Sequence, residues 1–261
     1  MTESADRLDI DPAAGWVIDL DGVIWLDDRP LPGVAEAVAT LQRRGEVVFV
    51  TNNSRDRVVD QENKLGSMGI NASGAVITSA QAVVALVGPG ERVLMAAGPG
   101  VAEALHEAEV DAASRRDGPV DAVVLGIHRD FDYDELTLIT RAVRGGARLL
   151  ATNDDVSFPT PTGLVPGNGA LVAAAEAATG VAAVVAGKPH EPVAALVRER
   201  LGDVGVVIGD RPDTDGRFAV TLGYEFALVL SGVTDRGDLP VDPQPLVVAN
   251  DLAELVASLA D

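Results

Sequence analysis

Short apolar runs separated by amphipathic stretches set the rhythm of this chain. Runs rich in Val and Ile occupy 16–20, 46–51 and 75–78, then 92–97, 121–126, 147–152, 182–186, 204–208 and 225–230. They are continuous rather than alternating, as expected of strands covered on both faces. Between most of them lie segments with apolar residues at helical spacing: 33–44, 55–68, 79–87, 99–108, 132–144, 167–179, 190–201 and 250–260. The first of these begins after Pro32-Gly33 and stops at Gly45, a standard pair of boundary signals. Strand and helix alternate almost throughout, which predicts an α/β protein with a doubly wound, mostly parallel sheet. Residues 1–14 read as a tail. Turn signals near 88–101, in "VGPGE" and "GPGV", suit entry into a second module and equally suit a surface turn.

In such sheets ligands bind at the carboxyl ends of the strands. Four strand ends carry chemistry. "DLDG" places Asp19 and Asp21 after the first run. Two positions apart on a strand they would share a face, about 6–7 Å apart at Cα. Repulsion there amounts to roughly 2–3 kcal/mol at an effective dielectric near 20, which a divalent cation would remove. "TNNS" places Thr51, Asn52 and Asn53 at a helix entrance, where a hydroxyl and free amides can cradle phosphate. "AGKPH" places Lys188 on a short turn as a point charge for phosphate. "GDRPDTD" gathers Asp210, Asp213 and Asp215. Each has a plain structural reading as well: a turn with Gly22 at positive φ, a helix N-cap, a surface lysine, an acidic turn built on Asx hydrogen bonds.

Together, and in that order, they form the set needed for metal-assisted phosphoryl transfer. The sequence resembles the haloacid dehalogenase superfamily of phosphatases, in particular subclass IIA, whose members carry a large α/β cap between the Thr and Lys motifs. "DLDGVIW", "VTNNS", "ATNDD…FPT…GLVPGNGALVAA", "GKP" and "GDRPDTD" carry the resemblance, over about residues 15–260. It implies a catalytic core from 1–78 and 181–261 and an inserted cap over 79–180. It implies Asp19 as nucleophile and Mg²⁺ ligand, and Asp21 as general acid and base with its main-chain carbonyl on the metal. Thr51, Asn52 and Asn53 would hold the phosphoryl group and Lys188 would neutralise it. Asp210 would bind the metal, and Asp215 would orient it from outside the coordination sphere. The activity implied is Mg²⁺-dependent hydrolysis of small phosphate monoesters through an aspartyl-phosphate. The loop 153–162, "NDDVSFPTPT", is the candidate selector of the leaving group, through Asn153 and Asp154. His128, where relatives often carry an acid, reads as a cap contact or a structural residue.

Composition narrows the picture. The net charge of −20 disfavours nucleic acid and anionic membranes as partners and would repel an anionic small substrate at long range, so a site for one needs local positive charge; a small phosphorylated metabolite is the partner that the resemblance implies. Of 20 basic residues only Lys64 and Lys188 are lysine, which singles out Lys188. No cysteine is present, so thiolate metal sites are excluded. No apolar stretch is long enough to span a bilayer, and the first residues lack the features of a signal peptide, so a cytoplasmic protein is expected. A homo-oligomer is left open. Other readings are a phosphorylatable signalling domain or a binding protein on a related α/β fold, which would not turn over esters. A dinucleotide enzyme lacks its full Gly-rich motif.

Overall fold

The computed structural model describes residues 11, 13–26, 28–115, 118–160 and 163–259. Most of the expected tail, the loop residues Pro161 and Thr162, and the end of the expected final helix therefore lie outside the described residues. The chain forms two compact units, one from 1–51, 62–76 and 194–261 and the other from 52–61 and 77–193.

The first unit is organised by a six-stranded sheet. Its order is Val247–Ala249, Glu225–Val229, Gly205–Gly209, Gly15–Ile18, Val47–Thr51, Val76–Thr78. The first five strands pair in parallel. From the centre, chain order runs outward in both directions, so the sheet is doubly wound. The reversal falls between Gly15–Ile18 and Gly205–Gly209, whose register pairs Ile18 with Ile208. A crevice opens outside the strand ends at such a reversal, and ligands settle there. Both central strands are buried along their whole length, as their unbroken apolar sequences require. The helix Val34–Arg44 turns Val34, Ala37, Val38 and Leu41 inward, at i, i+3, i+4 and i+7. Leu252–Ser258 is N-capped by Asp251, whose side chain accepts the Glu254 amide.

The second unit has its own parallel sheet, ordered Val184–Val185, Arg148–Ala151, Ala122–Leu125, Arg92–Ala96, Asp111–Ala113. An antiparallel hairpin, Ser157–Thr160 with Gly163–Pro166, follows. Leu94, Val123, Leu125, Ile139 and Leu149 centre its core. The α/β insertion anticipated from the sequence is thus present. Val184–Val185 lies beyond the expected junction at 180–181 yet pairs with Leu150 and Ala151 of this second sheet. The expected strand 182–186 shrinks to those two residues. The expected helix 79–87 is Ser79–Val84, fixed at its start by a capping box between Thr78 and Gln81. Among the described residues no helix is long and apolar enough to cross a membrane.

His128 lies half-buried in the second unit. Its Nε2 lies 2.5 Å from Oε2 of Glu135 and its Nδ1 2.9 Å from the Gly126 carbonyl. Both partners are acceptors, so the doubly protonated ring fits best. The hydrogen bond to Glu135 raises the His128 pKa above its ordinary value, against the opposing effect of burial. A raised folded-state pKa stabilises fully below the unfolded value of about 6.5, and that stabilisation disappears as pH climbs through the folded value. Denaturant unfolding of wild type should therefore lose stability between neutral and alkaline pH, and His128→Gln should flatten that slope. An identical slope in the variant would remove His128 as its source.

Candidate active site

The first central strand ends at Ile18, and the amide of Asp19 still bonds to the Ile208 carbonyl at 2.9 Å. Asp210 follows directly on the other central strand, Gly205–Gly209. The two acids therefore emerge side by side at the reversal of the sheet. A third joins them through an unusual turn. Pro212–Gly216 forms a single π-helical turn in which the Arg211 carbonyl accepts from the amides of Thr214, Asp215 and Gly216. The wide turn carries Asp215 back over Gly209. One carboxylate oxygen from each of Asp19, Asp210 and Asp215 lies within 4.8 Å of the others. Asp210 and Asp215 are each 1% exposed.

At 4.8 Å or less each pair repels by at least about 3 kcal/mol at an effective dielectric of 20. Two backbone amides help: Val233 donates to Asp210 Oδ2 at 2.6 Å, and Arg211 donates to Asp215 Oδ2 at 3.2 Å. An all-oxygen, all-anionic donor set of this kind fits a hard divalent cation such as Mg²⁺ or Ca²⁺, and not a thiophilic one. The space is made by glycine. A Cβ on Gly232 would fall 1.9 Å from Asp210 Oδ2, and one on Gly22, which sits at φ 82°, would fall 2.5 Å from it.

Asp21 differs from its expected place on the same strand face as Asp19. The strand has already ended, and Leu20–Trp25 folds into a tight turn with the amides of Val23, Ile24 and Trp25 aimed at the Leu20 carbonyl. Asp21 is exposed, and its Oδ1 accepts the Trp25 indole N–H at 2.8 Å. Asp213 pairs with Arg211 at the surface and stands apart from the acid triad. Thr51, the last residue of Val47–Thr51, is buried.

In the second unit, Asn52 acts as an artificial peptide group. Its Oδ1 accepts the Lys188 amide at 2.8 Å, while its Nδ2 donates to the Lys188 carbonyl at 3.0 Å and to Asp155 Oδ2 at 2.9 Å. The side chain thus fixes the backbone of Lys188, whose residue is 2% exposed. Asn53 closes an Asx turn, its Oδ1 accepting from the amides of Arg55 and Asp56, and the helix that the sequence places at this loop begins only at Val58. Asn153, expected to face a leaving group, is 4% exposed and turned inward. Its amide donates to the Asn52 carbonyl at 2.8 Å, and its Oδ1 accepts the Asp155 amide. It buttresses the Asn52 loop because the strand before it, Arg148–Ala151, delivers it into the interior. Asp154 remains at the surface beside His190, with Oδ2 to Nε2 at 3.2 Å.

A haloacid dehalogenase-like hydrolase model matches residues 16–111, and a HAD-hydrolase-like model matches 185–255. An acid sugar phosphatase of Staphylococcus aureus is 33% identical, over 94% of this chain and 97% of its own length. The chain belongs to the haloacid dehalogenase-like hydrolases. Among solved structures of this family, a 4-nitrophenylphosphatase from Thermotoga maritima is similar with a TM-score of 0.87 at 30% identity, covering 95% of this chain and 98% of that one. A glycerol phosphate phosphatase from Mycobacterium tuberculosis in complex with magnesium is similar with a TM-score of 0.85 at 33% identity, covering 95% and 78%. The two matching models leave 112–184 of this hydrolase between them, a stretch wholly inside the second unit.

Several residues of the hydrolase were not singled out by motif. Trp25, Gly232 and His190 became visible only through their contacts. "DGVIW" held a signal for Trp25, since a tryptophan four residues after an acid can return its N–H across one turn.

The Asn52 linkage yields a test that needs no activity. Asn52→Asp removes the donor and sets a carboxylate against that of Asp155. Stability to denaturant should fall by about 2–3 kcal/mol, the cost of unsatisfied and opposed polar groups. Adding Asp155→Asn should recover much of the loss by restoring a donor. Equal stability of Asn52→Asp and wild type would mean the linkage carries no weight.

Proposed function

We propose that the protein is a Mg²⁺-dependent phosphatase that hydrolyses small phosphate monoesters through an aspartyl-phosphate on Asp19. The observation that carries the reading is the triad of Asp19, Asp210 and Asp215 at the reversal of the first unit's sheet. The family supports it, since the relatives described above are named as phosphatases. Two of them, named for sugar and glycerol phosphates, favour a hydroxylated substrate. The magnesium complex of the glycerol phosphate phosphatase supports the choice of cation.

The carboxylates of Asp19 and Asp210 and the main-chain carbonyl of Asp21 would hold Mg²⁺, with Asp215 orienting the group through its place in the triad. Bound Mg²⁺ supplies positive charge that offsets the acids and the phosphoryl oxygens. Asp19 attacks phosphorus, and the bond to the leaving oxygen breaks. Asp21 gives its proton to that oxygen. Asp21 then takes a proton from water, whose oxygen displaces Asp19 and releases inorganic phosphate. Such proton transfer is worth about 10²–10⁴-fold. Thr51, the main-chain amides of Asn52 and Asn53, and Lys188 bind the phosphoryl oxygens, whose charge grows in the transition state. The insertion expected at 79–180 serves as the cap that selects the leaving group, and within it Asp154 is the retained candidate for contacting a hydroxylated substrate.

Asp19→Asn should abolish turnover of 4-nitrophenyl phosphate while leaving the unfolding midpoint near that of wild type, and excess chelator should silence the wild-type enzyme. Full activity in chelator would sink the metal-dependent reading, and a working Asp19→Asn would sink the nucleophile.

Asp154→Ala should change the ranking of kcat/KM across a panel of sugar, glycerol and aryl phosphates while barely altering the aryl ester. A uniform change across the panel would remove Asp154 from substrate selection.

A further inference from the structure

The structure assigns Trp25 as the residue that positions Asp21 for proton transfer, with Lys64 as the cation that strengthens its hold; the assignment rests on the phosphatase reading above. Trp25 is 2% exposed, and its ring carries one polar atom, Nε1. That atom donates to Asp21 Oδ1 at 2.8 Å. The donor is rigid, because the ring is buried and its backbone is tied at both ends: the Trp25 carbonyl accepts the Gly22 amide at 2.8 Å, and Trp25 pairs with Pro30 in the short hairpin Trp25–Leu26 with Arg29–Pro30.

Burial alone does not explain the bond. The other tryptophan, Trp16, is also buried, and its Nε1 has no hydrogen-bond partner among the described residues. This fold therefore tolerates an indole without an acceptor, yet Trp25 has the acid of the DLDG motif as its partner. The bond takes only one oxygen of Asp21. Among the described residues no protein group hydrogen-bonds the second oxygen, Oδ2. One oxygen is tethered and the other is left to carry the proton.

Lys64, one of only two lysines in the chain, lies over the face of the same ring. Its Nζ is 3.8 Å from the ring centroid and is itself anchored to Asp28 at 2.5 Å. A cation on the face draws electron density from the ring, which makes the indole N–H a stronger donor. Among the described residues Lys64 contacts neither the triad nor Asp21, so its influence passes through Trp25.

A general acid matters most when the leaving group is a poor one. This separates positioning from mere structural support. The experiment measures kcat/KM with Mg²⁺ for 4-nitrophenyl, phenyl and 4-methoxyphenyl phosphates, three esters of similar shape whose leaving phenols grow more basic. Trp25→Phe keeps the buried ring and loses the donor. Its deficit should be small with 4-nitrophenyl phosphate and grow to about tenfold with 4-methoxyphenyl phosphate, within the range of general-acid effects. Lys64→Met, which keeps the aliphatic stem, should steepen the same dependence by a smaller factor. An equal deficit across the three esters in a folded Trp25→Phe, or no deficit, would overturn the assignment. Should Trp25→Phe unfold, an unchanged leaving-group dependence in Lys64→Met would overturn it instead. Wild-type enzyme that hydrolyses none of the esters would bring down the phosphatase reading itself, an outcome distinct from either.

Discussion

Three carboxylates held within 4.8 Å of one another make electrostatic repulsion the organising constraint of the first unit. Two of them follow the central strands, so the doubly wound topology itself forces them together. The third arrives by a π-helical turn that no regular helix would produce. Around them the chain spends glycines, at 22 and 232, where any side chain would collide with Asp210. Repulsion of this size is a poor way to stabilise a fold. It is a good way to build affinity for a small hard cation, because the charge that destabilises the empty arrangement is the charge that binds.

The second unit solves a different problem. Side-chain amides supplement the backbone hydrogen bonds of its loops. Asn52 pairs with both sides of the Lys188 main chain, Asn153 supports the Asn52 carbonyl, and Asn168 donates to the Asn153 carbonyl at 2.7 Å. Ser79 Oγ adds a second donor to the Asn52 carbonyl. An amide side chain offers a donor and an acceptor on one rigid plane, which is why asparagine, and not serine or aspartate, fills these positions.

The elements most legible in the sequence were those with unbroken apolar runs. Gly15–Ile18, Val47–Thr51 and Gly205–Gly209 fall within a residue or two of their expected bounds because both faces are buried and nothing interrupts the pattern. Asp19 and Asp210 were legible for the same reason, as polar residues ending such runs. Short elements were not: Asp111–Ala113 and Val247–Ala249 have three residues each, too few to display a period. Asp215 is expected to orient the metal from outside its coordination sphere, and spacing along the chain does not reveal the π turn that brings its carboxylate within 4.8 Å of those of Asp19 and Asp210. Asn153 is expected to contact a substrate hydroxyl because its amide both donates and accepts. The structure spends that chemistry on a neighbouring loop, and only tertiary contacts reveal which use wins.

The Asn52–Lys188 pairing joins residues 136 positions apart, across the span that contains the expected insertion 79–180. Closing a flexible loop of that length costs about 4 kcal/mol in chain entropy. The first unit's sheet needs strands from both sides of the insertion, so it would bear that cost if the insertion were still unfolded. A side-chain amide that ties the two ends of that span together shortens the gap the sheet has to close. Pairing Asn52 with Lys188 therefore lowers the entropic cost of bringing the strands that precede Asp19 and Asp210 side by side.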